Sequence, residues 1–426
     1  MNSRTIVLFT FLVMSLSCSH EKIVELPLTT HADYGPFSMG FSGVRVYSSD
    51  DNNPWKNAFP KISKFPEGLT DMKHGYIETN ICQSVYQDYL LGNITKDLYE
   101  LSLNSLNLDT LNLSKTPVKT KIAFACGKDS QGIFKLVVDA NNNLDLSDDN
   151  LFTPIKVNAL DRAKEDSLAQ VYAVKVSLET YIHNKIVPVS VRLFTYSFNN
   201  DLFMYNFLQH STTQFKGEQI AVCSGYSSDF SFNDLQVALL KDLKNGEKLK
   251  RESIYNKNEY IEIKDEVYKI LGVNTNKNVL IIKKTDQIFS TQIGYKSYPF
   301  QGEEFTTGST ISLENLKGKY VLLDFWAEWC SPCIKEFPAL KELYAKTDRA
   351  KFEIIGIIGA SSFNGTKELI GKHELTWPQI LSDKIVNNYG ITGYPSTFII
   401  DTEGTIIAKD LRGEELEAKI LSLVNE

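Results

Sequence analysis

Two cysteines separated by two residues, Cys330 and Cys333, are the clearest candidates for chemistry in this sequence. They follow the run Val321–Trp326, which is apolar except for one aspartate, and Pro332 stands between them. Such an apolar run predicts a buried strand, and proline suits the first turn of a helix, where its missing N–H is not needed. Cys330 is therefore expected at a helix amino terminus, which favours a thiolate, with Cys333 one turn further in. This spacing predicts a redox-active dithiol or disulfide that needs no other cofactor.

Asp324 is the charged residue of that apolar run. A carboxyl group buried in a strand has a raised pKa, because burial disfavours its charged form. Such a group can take the proton of Cys333 when that thiol must become a nucleophile. The alternative is that Asp324 caps a turn or ends the strand towards solvent, which its apolar flanks disfavour.

A structural zinc site is the other chemistry that a Cys-x-x-Cys pair can indicate. It requires four ligands, usually a second cysteine pair or two spaced histidines. The sequence has no second pair, and His373 is the only histidine after residue 290. We therefore predict no metal site at these cysteines.

An acidic segment, DANNNLDLSDDN, begins at Asp139 and ends at Asn150. Its alternating oxygen-bearing residues match positions 1, 3, 5 and 7 of a calcium loop: Asp139, Asn141, Asn143 and Asp145. However, Leu144 replaces the expected glycine, and Asn150 replaces the expected glutamate. We favour an Asx-rich turn between two strands, in which side chains bind their own backbone.

The amino terminus has the composition of an export signal. Arg4 precedes an apolar run over residues 6–16, which is too short to span a bilayer and suits a signal peptide of residues 1–17. Cys18 follows Ser17, and this arrangement resembles the lipobox of bacterial lipoproteins, in which the cysteine carries the lipid. We expect a lipoprotein of the bacterial cell envelope that faces the periplasm, attached to the inner or the outer membrane. A plain secretory signal and an uncleaved anchor are the alternatives.

Composition and length indicate a globular protein with more than one domain. The chain has 426 residues, of which 42% are apolar and 23% charged, enough for two or three domains. A net charge of -7 argues against a nucleic-acid partner. Runs of β-formers such as 171–178 and 186–196 fill the region before residue 290, whereas strands and helices alternate after it. We predict a region of uncertain fold over 18–115, a β-rich domain over 116–289 and an α/β domain over 290–426.

Three segments of the last domain resemble one protein family. They are SLENLKGKYVLLDFWAEWC, IKEFPAL and GITGYPSTFIIDTEGTII. They are similar to the thioredoxin-like TlpA/ResA family of exported thiol:disulfide oxidoreductases, over residues 290–426. The expected fold is thus an α/β thioredoxin fold at the carboxy terminus, preceded by a large β-rich (α+β) amino-terminal region. The resemblance implies that Cys330 attacks, Cys333 resolves the mixed disulfide and Asp324 is the buried acid.

The same resemblance implies a substrate-binding surface next to the cysteines. Pro395 corresponds to the cis-proline of the family, which exposes the backbone of the preceding Tyr394 to an incoming peptide, and Trp329 flanks the first cysteine. Tyr394 is bulkier than the small or aliphatic residue often found there, and Ser331 replaces the glycine of cytosolic thioredoxins. These departures leave the substrate and the redox potential open.

The function that this resemblance implies is the reduction of protein disulfides. A membrane electron donor of the DsbD/CcdA type would then restore the dithiol. An oxidase or isomerase of the same fold is one alternative. The other is a non-catalytic binding lipoprotein that uses the fold as a docking platform, which would tolerate the loss of both cysteines.

Overall fold

The structure is a computed structural model that describes most of the chain. The described residues are 22–50, 52–106, 108–156, 164–199, 202–225, 229–241, 243–244, 247–286, 289–391 and 393–425. The predicted signal peptide, 1–17, and Cys18 lie outside them. The described residues form two compact units, and the chain passes from one to the other between Thr285 and Asp286. Within the described ranges, no helix is long and apolar enough to cross a bilayer.

The first unit is built mainly from sheets, as its composition predicts. Its described strands form four sheets. The first has the order β1 (Ile23–Pro27), β18 (Val279–Lys284), β17 (Glu266–Asn274), β16 (Tyr260–Ile263). The second has the order β15 (Tyr255–Asn256), β14 (Leu235–Leu239), β13 (Glu218–Ser224), β12 (His210–Phe215), β2 (Thr29–His31). The third has the order β3 (Ser42–Gly43), β11 (Leu202–Phe207), β10 (Lys185–Asn199), β8 (Ile155–Lys156), with β9 (Val174–Ile182) also paired to β10. The fourth has the order β4 (Arg45–Val46), β5 (Thr70–Glu78), β6 (Lys121–Lys128), β7 (Phe134–Val138).

Strand pairing in this unit crosses residue 115. The strand β5 pairs with β6, and β1 at the start of the described chain pairs with β18 at the end of the unit. Residues on both sides of position 115 therefore share sheets and a core. Apolar side chains of β1, β13, β14, β16, β17 and β18 form one cluster of that core.

Three α-helices of the described first unit accompany the sheets: α1 (Ile81–Leu90), α2 (Lys96–Leu106) and α3 (Glu165–Tyr172). The predicted strand over 171–178 is wrong at its start, because α3 ends at Tyr172 and β9 begins only at Val174. Glu165 and Asp166 in the first turn of α3 favour the helix through its dipole. Short 3-10 turns cover Lys56–Ala58 and Arg251–Ser253.

The second unit is one mixed sheet with helices on its faces. The sheet has the order β23 (Gln379–Leu381), β22 (Phe352–Ile358), β21 (Tyr320–Trp326), β24 (Ser396–Ile400), β25 (Ile406–Lys409). The strands β21, β22 and β23 are parallel, and β24 and β25 continue antiparallel. The helices are α4 (Ser331–Lys346), α5 (Phe363–His373), α6 (Asp383–Asn388) and α7 (Gly413–Val424). A hairpin of β19 (Gln301–Glu303) and β20 (Thr310–Ser312) and a 3-10 turn over Glu314–Leu316 precede β21. This arrangement is the thioredoxin fold and confirms the predicted fold class.

The helices of the second unit bury two apolar layers. On one face, α4 and α7 contribute Phe337 and Ile420 to a cluster with Leu322 of β21. On the other face, Ile385 of α6 packs in a cluster with Phe325. Alternate residues of β21 thus point to opposite layers, so this central strand is packed on both faces. This packing fixes the position of the loop that follows β21 and leads into α4.

Candidate active site

The reactive segment lies at the end of the central strand. The strand β21 has β22 parallel on one side and β24 antiparallel on the other, and its residues from Val321 to Trp326 are buried. A short loop follows, and α4 begins at Ser331 with Cys330 as its N-cap residue. The proline in the first turn of α4 confirms the helix start that the sequence predicts.

Cys330 and Cys333 are joined by a disulfide bond. Their Cα atoms lie 5.3 Å apart. The backbone N–H of Cys333 donates a hydrogen bond to the Sγ of Cys330 over 3.2 Å. When the disulfide is open, this donor and the helix dipole stabilise negative charge on the Cys330 sulfur. Each cysteine is only 2% exposed, so little of the disulfide faces solvent.

Asp324 is buried in β21 and does not end the strand towards solvent. Asp324 is only 2% exposed to solvent. Burial, reinforced by the charge of Glu336, raises the pKa of Asp324 to about 7, while the charge of Arg412 acts in the opposite direction. This is the direction predicted from the apolar flanks. A carboxyl group with this pKa can accept and return a proton near neutral pH.

Glu336 and Arg412 are site residues that the sequence reasoning missed. Glu336 lies on α4 three residues after Cys333, and burial raises its pKa. Arg412 immediately precedes α7, and its Nη1 lies 3.7 Å from the Oε1 of Glu336. The spacing of three residues from Cys333 could have indicated Glu336, because such residues share a helix face. No local pattern could have indicated Arg412, since its contacts depend on the tertiary fold.

The residues predicted to bind substrate lie together. Trp329 is 63% exposed, and its Nε1 donates to the carbonyl oxygen of Ala360 over 2.9 Å. The ring of Tyr394 contacts that of Trp329 edge-on, with centroids 5.7 Å apart. The peptide bond between Tyr394 and Pro395 is cis. Together these residues offer an exposed aromatic surface and a backbone segment beside the disulfide.

A glycine accommodates the unusual bulk of Tyr394. A Cβ atom at Gly359, which follows β22, would lie 2.3 Å from the hydroxyl oxygen of Tyr394 and 2.7 Å from Val386. Any larger residue there would displace the tyrosine ring. Gly359 therefore allows Tyr394 to lie against the end of the parallel strand.

The acidic loop after β7 is a series of Asx turns. The carboxylate of Asp139 accepts the backbone N–H groups of Asn143 at 2.9 Å and Leu144 at 2.8 Å. The Asn143 side-chain oxygen accepts the N–H of Asp145 at 2.7 Å, and Asp145 pairs with Lys64 at 2.8 Å. These bonds match the favoured interpretation, in which the oxygens serve the loop backbone. Within the described ranges, no group of three or more His, Cys, Asp or Glu residues is placed to hold a metal ion.

The family model that matches this chain matches it within the second unit. The model of the AhpC/TSA family matches residues 293–409. The thiol-disulfide oxidoreductase ResA of Bacillus thuringiensis subsp. konkukian (strain 97-27) is 33% identical over 115 residues, which are 26% of this chain and 66% of that protein. ResA of Geobacillus thermodenitrificans (strain NG80-2) is 34% identical over 139 residues, which are 32% of this chain and 76% of that protein. The chain belongs to the ResA family of thiol-disulfide oxidoreductases.

The ResA-like part is the carboxy-terminal third of this chain. The thioredoxin domain of a thiol-disulfide oxidoreductase from Bacteroides vulgatus is 34% identical, and the match covers 31% of this chain and 98% of that domain with a TM-score of 0.30. The chain spans about two thirds, 66%, of the length of the Bacillus thuringiensis ResA protein that it matches. The family assignment confirms the resemblance seen in the three sequence segments.

Proposed function

We propose that this chain is an exported thiol-disulfide oxidoreductase that reduces protein disulfides through Cys330 and Cys333. The observation that carries the proposal is their disulfide at the amino terminus of α4, with the acid Asp324 buried in the preceding strand. The names of the ResA relatives support the same chemistry.

The first half-reaction forms a mixed disulfide. In the reduced protein, the Cys330 thiolate attacks one sulfur of a substrate disulfide. A bond forms between Cys330 and that sulfur, and the other substrate sulfur leaves as a thiolate that takes a proton from solvent. The helix amino terminus supports this step, because it favours the thiolate form of Cys330.

The second half-reaction releases the substrate. Cys333 gives its proton to Asp324, and the resulting thiolate attacks the sulfur of Cys330. The bond between Cys330 and the substrate breaks, and the second substrate sulfur leaves as a thiolate. Two electrons have then passed to the substrate, and the protein holds the Cys330–Cys333 disulfide seen in the structure. A dithiol must return two electrons, and we propose a membrane donor of the DsbD/CcdA type.

The substrate would dock on Trp329, Tyr394 and Pro395. The exposed ring of Trp329 can pack against an apolar side chain, and the backbone before Pro395 can pair with an extended peptide. This mode is suited to an unfolded or flexible segment that contains a disulfide.

Trapping on a single cysteine tests the proposal. Reduced Cys333→Ser protein mixed with insulin should form a covalent complex through Cys330 that dithiothreitol releases, because the resolving thiol is absent. Mass spectrometry of the non-reduced complex measures it. The matched control is the Cys330→Ser, Cys333→Ser double variant, which should form none. Equal amounts of the covalent insulin complex in the single and the double variant would contradict the proposal.

Export and anchoring are proposed from the amino-terminal sequence. Cys18 would carry a lipid and hold the protein in the bacterial cell envelope, facing the periplasm. Wild-type protein expressed with its own amino terminus should then partition into the detergent phase, and Cys18→Ala should move it to the aqueous phase, because acyl chains supply the membrane affinity. Identical partitioning of the two proteins would leave a plain secretory signal or an uncleaved anchor instead.

A further inference from the structure

Arg412 connects two parts of the site that are distant in the sequence. Its Nη2 donates a hydrogen bond to the carbonyl oxygen of Pro395, in the loop that we propose docks substrate. Its Nη1 lies 3.7 Å from the Oε1 of Glu336, one turn beyond Cys333 on α4. The side chains of Arg412 and Glu336 are 39% and 25% exposed, so solvent screens this pair only in part.

The charges that act on Asp324 come from these two residues. Across the sheet, Asp324 is opposite Gly356 of β22 and Thr397 of β24, and neither side chain titrates. Next to the effect of burial, Glu336 raises the pKa of Asp324 and Arg412 lowers it. Arg412 also opposes the rise that burial imposes on the pKa of Glu336. Arg412 is thus the positive charge that helps both carboxyl groups to ionise.

We propose that Arg412 is a positioning residue of the resolving step, which holds Glu336 and the Pro395 loop together and keeps Asp324 ready to take the proton of Cys333. The inference rests on the proposed function and adds a residue to it. Loss of the positive charge leaves Asp324 protonated over more of the neutral range. A protonated Asp324 cannot accept the proton of Cys333, and the mixed disulfide then persists.

Arginine is suited to this double contact. Its planar guanidinium presents several donors at fixed angles, so one nitrogen can serve a carbonyl oxygen while another faces a carboxylate. Lysine keeps the charge but lacks that geometry. Lysine and glutamine substitutions therefore separate the electrostatic contribution of Arg412 from its contact with the Pro395 loop.

The test is the pH dependence of the resolving step. A preformed mixed disulfide between Cys330 and a chromogenic aromatic thiol reports that step in single turnover, and its rate should rise through about pH 7 in the wild type, where Asp324 ionises. Arg412→Gln should raise the midpoint of this pH profile by about half a pH unit to one pH unit. At pH values below the midpoint, release of the aromatic thiol should then be slower by up to about tenfold. At high pH its rate should equal that of the wild type. Arg412→Lys should keep the midpoint but raise the KM for a peptide disulfide.

A compensating variant and a direct titration complete the experiment. Glu336→Gln should lower the midpoint, and adding it to Arg412→Gln should return the midpoint towards the wild-type value, because the two charges act in opposite directions. The 13C resonance of the Asp324 carboxyl in the oxidised protein should show the same shifts without any turnover. If Arg412→Gln leaves the Asp324 titration unchanged, the inference is wrong while the proposed function stands. If the wild type never releases the thiol but the titration shifts as described, the proposed function fails instead.

Discussion

Replacing Cys330 with alanine is expected to reduce the dithiothreitol-dependent reduction of insulin to the uncatalysed rate. The Cys330 sulfur forms the first covalent bond with the substrate, and no neighbouring thiol can replace it. Cys333 is set one turn deeper in α4, and the other described cysteines, Cys82, Cys126 and Cys223, are buried in the first unit. The rate of insulin B-chain precipitation measures the loss.

Cys223→Ala is the matched control for that experiment. Cys223 is 2% exposed, as Cys330 is, but it lies in β13 of the first unit. Its replacement removes a thiol of equal burial and should leave the reduction of insulin unchanged. Circular dichroism of both variants checks that the fold persists. Full activity in Cys330→Ala would overturn the assignment of the attacking thiol to Cys330, whereas a wild type no faster than the uncatalysed reaction would favour a docking platform.

The second unit could be predicted closely because its signals are local. The apolar run of β21 indicates a buried strand, and the cysteine and proline that follow it fix the start of α4 at Ser331. The short strand β23 and helix α6 were not predicted. Three residues and six residues carry too few periodic positions to distinguish an element from a loop.

The first unit could be predicted only in part because its order is set by long-range pairing. The apolar run 186–196 indicated a strand, and β10 confirms it. Nothing in the local sequences of β1 and β18 indicates that these two strands pair, since a strand carries no local mark of its partner. The same reasoning explains the candidate site, where Asp324 could be predicted from its flanks but Arg412 could not.

Replacing Asp324 with asparagine is expected to separate the two half-reactions. The attack by Cys330 should proceed at nearly the wild-type rate, because the helix amino terminus, and not Asp324, favours its thiolate. The resolving step should slow by about a hundredfold near neutral pH, since a positioned proton acceptor contributes at least that much. Mixed disulfides should therefore accumulate, and alkylation followed by mass spectrometry quantifies them. A slower first attack with normal release, or no change in either step, would make Asp324 a structural residue.

The stability of the same variant gives an independent check, because it does not depend on turnover. The pKa of Asp324 in the folded protein is raised to about 7 from its ordinary value of 3.8. The neutral carboxyl is therefore the form that suits the fold, and the free energy of unfolding falls as pH rises from about 3.8 to about 7, above which Asp324 is ionised in both states. Asparagine resembles the neutral carboxyl, so Asp324→Asn should be more stable than the wild type at about pH 8, by up to about 4 kcal/mol. At about pH 4 this difference should nearly vanish, because Asp324 of the folded wild type is then protonated as well.

Denaturant unfolding of the oxidised wild-type and Asp324→Asn proteins at both pH values measures this difference in stability. A stability gain that depends on pH, together with a slow resolving step, is the result expected of a buried proton acceptor, whereas a constant difference at both pH values would indicate a packing effect alone.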